Sequence, residues 1–175
     1  ENSTEAAAAI SAVEALDIAA TWIGEPGRSA LSGLAIVSEP ESAEVTWIPG
    51  HLLDDVDVHA ALAAHSDVRG HRIKPLMRSL LDVGVSLDGI ALDTAIAAYL
   101  IDPAEVSYDL PDLIEKYTEF ARPSDDAAGS GRLDLDGTSM SDAELAGRDA
   151  LAVHYLVEPI RASLQAQGMA KLYET

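Results

Sequence analysis

Acidic side chains are the residues of this sequence with the clearest chemical potential, because carboxylate oxygens are the ligands that hard divalent cations prefer. Asp and Glu number 30 against 11 Lys and Arg, and the formal net charge is −19. The run Asp134-Leu135-Asp136-Gly137 partly matches a calcium loop. The EF-hand pattern requires glycine at its sixth position and glutamate at its twelfth, whereas here Gly is fourth and Leu145 is twelfth. We therefore interpret this run as a solvated acidic loop.

The other groups that could do chemistry have simpler structural explanations. Asp54, Asp55 and Asp57 stand at the start of a predicted helix, where negative charge complements the helix dipole. The histidines show no HExxH or other zinc-binding spacing, so we interpret each as a surface or packing residue. They occupy positions 51, 59, 65, 71 and 154. The sequence also has no phosphate-binding G-x-x-x-x-G-K-[ST] loop and no G-x-S-x-G elbow.

Composition indicates one ordinary globular domain. Hydrophobic residues make up 48% and charged residues 23% of 175 residues, and no apolar stretch approaches the roughly 18 to 20 residues of a membrane span. There is no signal-peptide pattern and no cysteine, so thiolate metal sites and disulfides are excluded and we expect a cytoplasmic location. DNA binding depends largely on neutralising phosphates, so this acidic surface by itself should repel DNA.

Hydrophobic periodicity and turn residues predict the elements that must position any site. An antiparallel meander is followed by alternating helices and short strands, which predicts an α/β fold with a mixed sheet flanked by helices. Asp93 is predicted to cap a helix, and Ser141 with Glu144 forms a predicted capping box. The predicted strands cover residues 15–23, 30–38, 43–48, 67–70 and 85–92, and the predicted helices cover 51–65, 72–83, 95–101, a segment from 109, and 141–167.

Two segments are expected to lie outside the packed core. Residues 1–12 are polar and rich in alanine, and we expect a frayed or helical lead-in that is flexible, with the ordered domain beginning near residue 13. Residues 121–141 are rich in Gly, Ser and Asp and poor in apolar side chains, which is typical of a flexible loop.

One stretch of sequence resembles a known family. Residues 89–103, GIALDTAIAAYLIDP, resemble the G-I-x-F-D-T-x-L-x-x-Y-L-L-x-P stretch of the proofreading, 3′–5′ exonuclease domain of bacterial DNA polymerase I, and residues 108–117 resemble that family's next helix. Residues 32–35, 70–74 and 146–148 are similar to its second strand, its G-x-N-x-K segment and the start of its last helix. The resemblance implies a ribonuclease-H-like fold, a domain spanning residues 13–171, and a connector toward a polymerase domain beginning at 172–175.

The resemblance also implies a two-metal nuclease site, with cations about 4 Å apart held by converging carboxylates. The family supplies an Asp-x-Glu on the first strand, an Asp two residues after the G-x-N-x-K lysine, and a Tyr-x-x-x-Asp on the last helix. On the first strand the match is Asp17-Ile18-Ala19 or, shifted by one residue, Ile18-Ala19-Ala20, and both lack the glutamate. The remaining three positions hold Leu76, Asp149 and Val153.

We therefore expect a degenerate exonuclease-like domain with no catalytic residues, no bound metal and no cofactor of its own. We expect a monomeric structural module of a DNA-directed DNA polymerase of replication and repair. It would reach DNA and Mg²⁺ only through the polymerase domain of the same parent chain. Two alternatives remain open: an active metal-dependent exonuclease that uses substitute acids, namely Glu14, Asp17, Asp82 and Asp149, and an acidic module in which the 121–141 loop binds a basic partner.

Overall fold

A computed structural model describes residues 2–118 and 141–169 of the chain. Besides the helices and strands, a short 3-10 helix spans Gly50–Asp54. In chain order the elements are α1 (Ser3–Ala12), β1 (Leu16–Trp22), β2 (Leu31–Glu39), β3 (Glu44–Pro49), α2 (Val56–Ala63), β4 (Val68–Gly70), α3 (Lys74–Asp82), β5 (Ile90–Asp93), α4 (Thr94–Ile101), α5 (Leu110–Tyr117) and α6 (Asp142–Ala166).

The strands form one mixed sheet in the order β3-β2-β1-β4-β5. β1, β2 and β3 are antiparallel neighbours, which confirms the predicted meander, and β4 and β5 continue the sheet in parallel pairing from β1. The β1–β2 turn contains Pro26 and Gly27, and Gly27 has a positive φ of 74° that glycine adopts without steric cost. The predicted mixed α/β sheet flanked by helices is therefore confirmed.

The two faces of β1 point into different surroundings, as the two-residue period of a strand requires. Leu16 and Ile18 belong to the main core, which also contains Ile10 of α1, Leu62 of α2 and Leu80 of α3. Ala19, on the opposite face, packs in a separate cluster with α6. The other members of that cluster are Ala35, Val37, Trp47, Ala146, Ala150 and Leu151. Long α6 thus crosses the sheet over β1 and β2 and controls what that face can hold.

The N-terminal segment departs from the expectation of a flexible lead-in. Residues 3–12 form α1, whose start carries a capping box between Asn2 and Glu5. The helix buries Ile10 completely and Ala6 almost so against the main core. The predicted domain start at residue 13 is therefore wrong: burial of these apolar side chains makes α1 part of the packed domain.

Two predicted elements are shorter in the structure. The helix expected over 51–65 is divided by Asp55, whose side chain accepts a hydrogen bond from the Asp57 N–H and caps α2. The strand expected over 85–92 pairs only from Ile90, because Val85 and Leu87 bury their side chains in the main core before the sheet begins. The predicted loop up to residue 140 and the predicted connector at 172–175 lie outside the described residues.

Both predicted helix caps are present. The Ser141 side chain and Glu144 form the capping box that begins α6. Asp93 is 3% exposed and its carboxylate accepts hydrogen bonds from the N–H groups of Ala95 and Ile96 at the start of α4. It also accepts bonds from the N–H groups of Arg72 and Ile73 at 3.0 and 2.9 Å. One buried carboxylate therefore joins β5, α4 and the segment that leads into α3.

Candidate functional site

Four of the five predicted site positions lie together around one cavity. The cavity has a volume of about 360 Å³ and is lined by Ala19 of β1, Leu76 of α3, and Asp149 and Val153 of α6. Leu76 is 3% exposed and Val153 is fully buried. The cavity also includes Ile18 and Ala20, the two further positions of the shifted first-strand match. Three elements distant in sequence thus bring these positions to one place, and most of the side chains are aliphatic.

Asp17, the fifth position, is 1% exposed and is held by the side chains of Arg69 and His154. The Arg69 guanidinium donates two hydrogen bonds to the two carboxylate oxygens, from Nε at 2.7 Å and from Nη2 at 2.6 Å. The Nδ1 atom of His154 lies 2.8 Å from Oδ2. A bidentate pair of this kind is among the strongest side-chain interactions in proteins. The Asp17 carboxylate is therefore fully engaged within the protein.

The sheet and α6 explain why these three side chains meet. Asp17 and Arg69 are directly paired residues of the parallel strands β1 and β4, so their side chains lie on the same face of the sheet. His154 comes from α6, which packs on that face and places Ala146 and Ala150 against Ala35. Because the strand alternates, Asp17 and Ala19 share the face toward α6, while Ile18 points into the main core.

Burial shifts the pKa values of two ionisable side chains near the cavity. Burial raises the pKa of Asp149 above its ordinary value, while the adjacent Arg148 guanidinium acts in the opposite direction. Burial lowers the pKa of His71 to about 4, with the Asp93 carboxylate opposing that shift. The Nδ1 atom of His71 lies 2.8 Å from the Thr94 hydroxyl oxygen. Burial therefore disfavours the charged form of both side chains.

These residues do not fit a pair of divalent cations. Hard cations require several oxygen ligands that converge on one point. Within residues 2–118 and 141–169, no group of three or more His, Cys, Asp or Glu side chains could hold a metal ion. Arg69 and His154 take up the oxygens of Asp17, and aliphatic groups stand at the positions around it. Within the described residues, this cavity therefore brings together no set of converging carboxylates.

The other acids considered from the sequence do not converge on this cavity. Glu14 is exposed ahead of β1, and Asp82 is exposed at the end of α3, where it lines a different pocket with Arg28 and Asp54. The acidic run at 134–137 lies outside the described residues. Asp149 is the one substitute acid among them that lines the cavity.

Sequence reasoning identified Asp17 but missed its two partners. Arg69 precedes Gly70 on a predicted short strand, and a charged residue within such a strand is the available signal. The sequence predicts a surface or packing role for His154, whereas in the structure its Nδ1 atom lies 2.8 Å from Asp17. His65 does fit a packing role, since its Nε2 atom lies 2.7 Å from the Ile10 carbonyl oxygen.

Comparison with known proteins supports the fold. No family model matches the chain, and no curated protein matches it. Solved structures do match. The polymerase domain of Pol1 from M. smegmatis, in complex with DNA primer-template and dNTP, is 24% identical with a TM-score of 0.70; the match covers 99% of this chain and 28% of that one.

Two nucleases give similar matches. A nuclease in its apo form is 21% identical with a TM-score of 0.69, and the match covers 99% of this chain and 82% of that one. NrnC from Brucella melitensis is 19% identical with a TM-score of 0.71, and the match covers 94% of this chain and 80% of that one. Together with the observed sheet, these matches show that the chain has the mixed α/β, ribonuclease-H-like fold of nucleases. Separately, no helix in the described part of this chain is long and apolar enough to span a membrane.

Proposed function

We propose that this chain is the 3′–5′ exonuclease-like domain of a bacterial DNA polymerase I and that it does not hydrolyse DNA. The similarity of residues 89–103 and 108–117 to that family supports the assignment. The coverage of 99% of the chain by a structure that belongs to a larger polymerase supports it further, although this chain spans only 28% of that neighbour.

The site positions are assigned through the cavity. Asp17 and Ala19 correspond to the Asp-x-Glu of the first strand, because these two residues share the face of β1 that α6 covers. Leu76 replaces the aspartate of the second motif, and Asp149 and Val153 replace the tyrosine and aspartate of the last helix. Three ligand positions are then aliphatic, so a single metal-binding carboxylate, Asp17, is retained.

The observation that carries the proposal is the pairing of that retained carboxylate. A lone aspartate in a low-dielectric site attracts cations, but Asp17 already accepts two hydrogen bonds from Arg69 and lies beside His154. A metal ion at Asp17 would have to displace a bidentate guanidinium. The fold is thus kept while its chemistry is lost.

In this proposal the domain is a structural module of a DNA-directed DNA polymerase of replication and repair. Nucleotidyl transfer, and the Mg²⁺ that it requires, belong to the polymerase domain of the same parent chain. The net charge of −19 supports the absence of independent DNA binding, because the surface offers few cations to neutralise phosphates. We expect the isolated chain to be a monomer located in the cytoplasm.

The proposal is tested with a single-stranded oligonucleotide labelled at its 5′ end, so that every shortened product remains visible. The chain is incubated with it in Mg²⁺ and then in Mn²⁺, beside an active proofreading domain at a much lower concentration as the positive control. We expect no shortening. Stepwise removal of nucleotides from the 3′ end that stops on addition of EDTA would overturn the proposal.

A restored variant tests the residue assignment independently. Ala19→Glu, Leu76→Asp and Val153→Asp return the three carboxylates, and Arg69→Leu releases Asp17 from its guanidinium partner. We expect this variant to bind Mn²⁺ in isothermal titration calorimetry while the unaltered chain does not. A folded restored variant, verified by circular dichroism, that binds no Mn²⁺ would show that these positions are not the degenerate metal site.

A further inference from the structure

The described basic side chains divide into those paired with acids and those without an acidic partner in the described part of the chain. Lys74 and Arg78, both on α3, form the second group, although acids outnumber bases 30 to 11 in the sequence. The paired group comprises Arg28, Arg69, Arg72, Lys116, Arg148 and Arg161, each within 4.0 Å of a carboxylate oxygen. The uncompensated positive charge therefore concentrates on one helix.

Lys74 and Arg78 border a groove, here named the α3 groove, with a volume of about 460 Å³. Arg28 of the β1–β2 turn contributes a third cation, and its Nη1 atom lies 3.6 Å from a carboxylate oxygen of the exposed Glu25. The remaining lining is largely aliphatic and includes Pro26, Pro75, Met77, Leu81, Val85 and Leu87. The groove is separate from the Asp17 ion pair.

The aliphatic part of this groove is accessible. Leu81 is 64% exposed, although α3 places Leu76 and Leu80 in the core on its other side. Leu81 lines the groove together with Met77 and Leu87. Exposed apolar surface bordered by polar groups can serve as an interaction site. The groove thus presents an apolar floor with cations at its margin.

We propose that the α3 groove binds an acidic, aliphatic peptide segment of a protein partner. Lys74 and Arg78 are four residues apart on a helix, which places their backbones about 6 Å apart along the axis. Two carboxylates at similar spacing, as on successive turns of a partner helix, complement them, and aliphatic side chains between the carboxylates cover the floor. Burial of aliphatic surface supplies affinity, and the charges supply selectivity.

The lining disfavours a nucleic acid as the occupant. Single-stranded nucleic acid is held by stacking on aromatic side chains within an extended cationic surface. The α3 groove is lined by no aromatic residue among those described, and the chain carries a net charge of −19. Three cations neutralise few phosphates against that background. The groove shares Pro26 and Pro75 with the cavity at Ala19 and Leu76. The inference uses none of Asp17, Arg69 and His154 and does not depend on the proposed function.

Binding is tested with a defined probe and the intact chain. The probe is a blocked synthetic peptide of Leu and Glu with glutamates four residues apart, and the matched peptide has Gln at the same positions. We expect the Glu peptide to shift amide resonances of Gly27, Arg28 and residues 74–87 in ¹⁵N NMR spectra, and the Gln peptide to bind more weakly. Raising the salt concentration should weaken the Glu peptide's binding, because partly exposed charges are screened.

Charge reversal locates the site. Lys74→Glu with Arg78→Glu should weaken the Glu peptide about tenfold, since each partly exposed charge contact contributes modestly. Arg148→Glu with Arg161→Glu, on α6, changes the net charge equally and should leave binding within about twofold. If both double variants weakened binding equally, the effect would come from net charge alone and the proposal would be overturned. The proposal would also be overturned if oligo(dT) but not the Glu peptide shifted the resonances of the groove. It would be overturned as well if neither probe shifted them.

Discussion

Replacing Arg69 by methionine removes the cation that holds the buried Asp17 carboxylate. Arg69→Met keeps a long side chain on β4 but loses both hydrogen bonds, of 2.7 and 2.6 Å, to Asp17. Asp17 remains 1% exposed, with His154 as its remaining partner at 2.8 Å. The substitution therefore leaves a buried carboxylate that has lost its guanidinium partner and keeps one hydrogen bond, to His154.

The expected loss of stability follows from general magnitudes. Breaking a buried ion pair by removing one partner costs about 3 to 5 kcal/mol, because the remaining charge stays buried without compensation. The hydrogen bond from His154 reduces that cost, so we expect about 3 kcal/mol for Arg69→Met. For a urea dependence of about 2 kcal/mol per M, the unfolding midpoint falls by roughly 1.5 M.

The assay is urea unfolding followed by circular dichroism, with two comparison variants. Arg161→Met makes the same substitution in a pair with Asp67 at 3.5 Å, in which both side chains are 38% exposed. It should cost at most about 1 kcal/mol, since exposed ion pairs contribute little. The double variant Asp17→Leu with Arg69→Met removes both charges and should recover most of the lost stability, because apolar replacement of a buried pair is often neutral or stabilising.

Two results would refute this reasoning. If Arg69→Met and Arg161→Met unfold at the same urea concentration, the Asp17–Arg69 pair contributes no more than a surface pair. If the double variant is as unstable as Arg69→Met alone, the loss comes from packing of the arginine stem rather than from an uncompensated carboxylate.

Two further predictions concern the polar groups that join α3 and α4. Asp93→Ala should lower the free energy of unfolding by about 3 kcal/mol, because it removes a helix cap and leaves the Arg72 and Ile73 N–H groups without their acceptor. Asp55→Ala removes a cap whose side chain accepts a hydrogen bond at its own helix start and should lower the urea midpoint less. Equal losses for the two variants would contradict the reasoning. Burial lowers the pKa of His71 from 6.5 to about 4, so the unfolded chain binds more protons between those values and stability should fall by up to about 3 kcal/mol as pH falls from 6.5 to 4. The difference in the free energy of unfolding between pH 6.5 and pH 4 should be smaller in His71→Gln than in the unaltered chain. An equal difference in the two proteins would contradict the assignment of this pH dependence to His71.

Local patterns in the sequence were sufficient for most of the fold. Apolar side chains repeat along β1–β3 and along the helices. Asp93, Ser141 and Glu144 begin helices through hydrogen bonds to residues two or three positions away. Such contacts depend on neighbouring residues, so composition and spacing predict them. The exceptions are informative: α1 looked polar and alanine-rich, and only its long-range contact through Ile10 made it part of the core.

The sequence by itself also determined which residue types stand at the positions that the resemblance assigns to metal ligands, since the side chains of Leu76 and Val153 cannot bind a divalent cation in any conformation. Only the tertiary structure decided what surrounds Asp17. Arg69 and His154 lie 52 and 137 residues from Asp17 along the chain. The three side chains meet because β4 pairs with β1 and α6 crosses that face of the sheet. A buried charge requires compensation, but sequence spacing does not identify its partner; the packing of distant elements does.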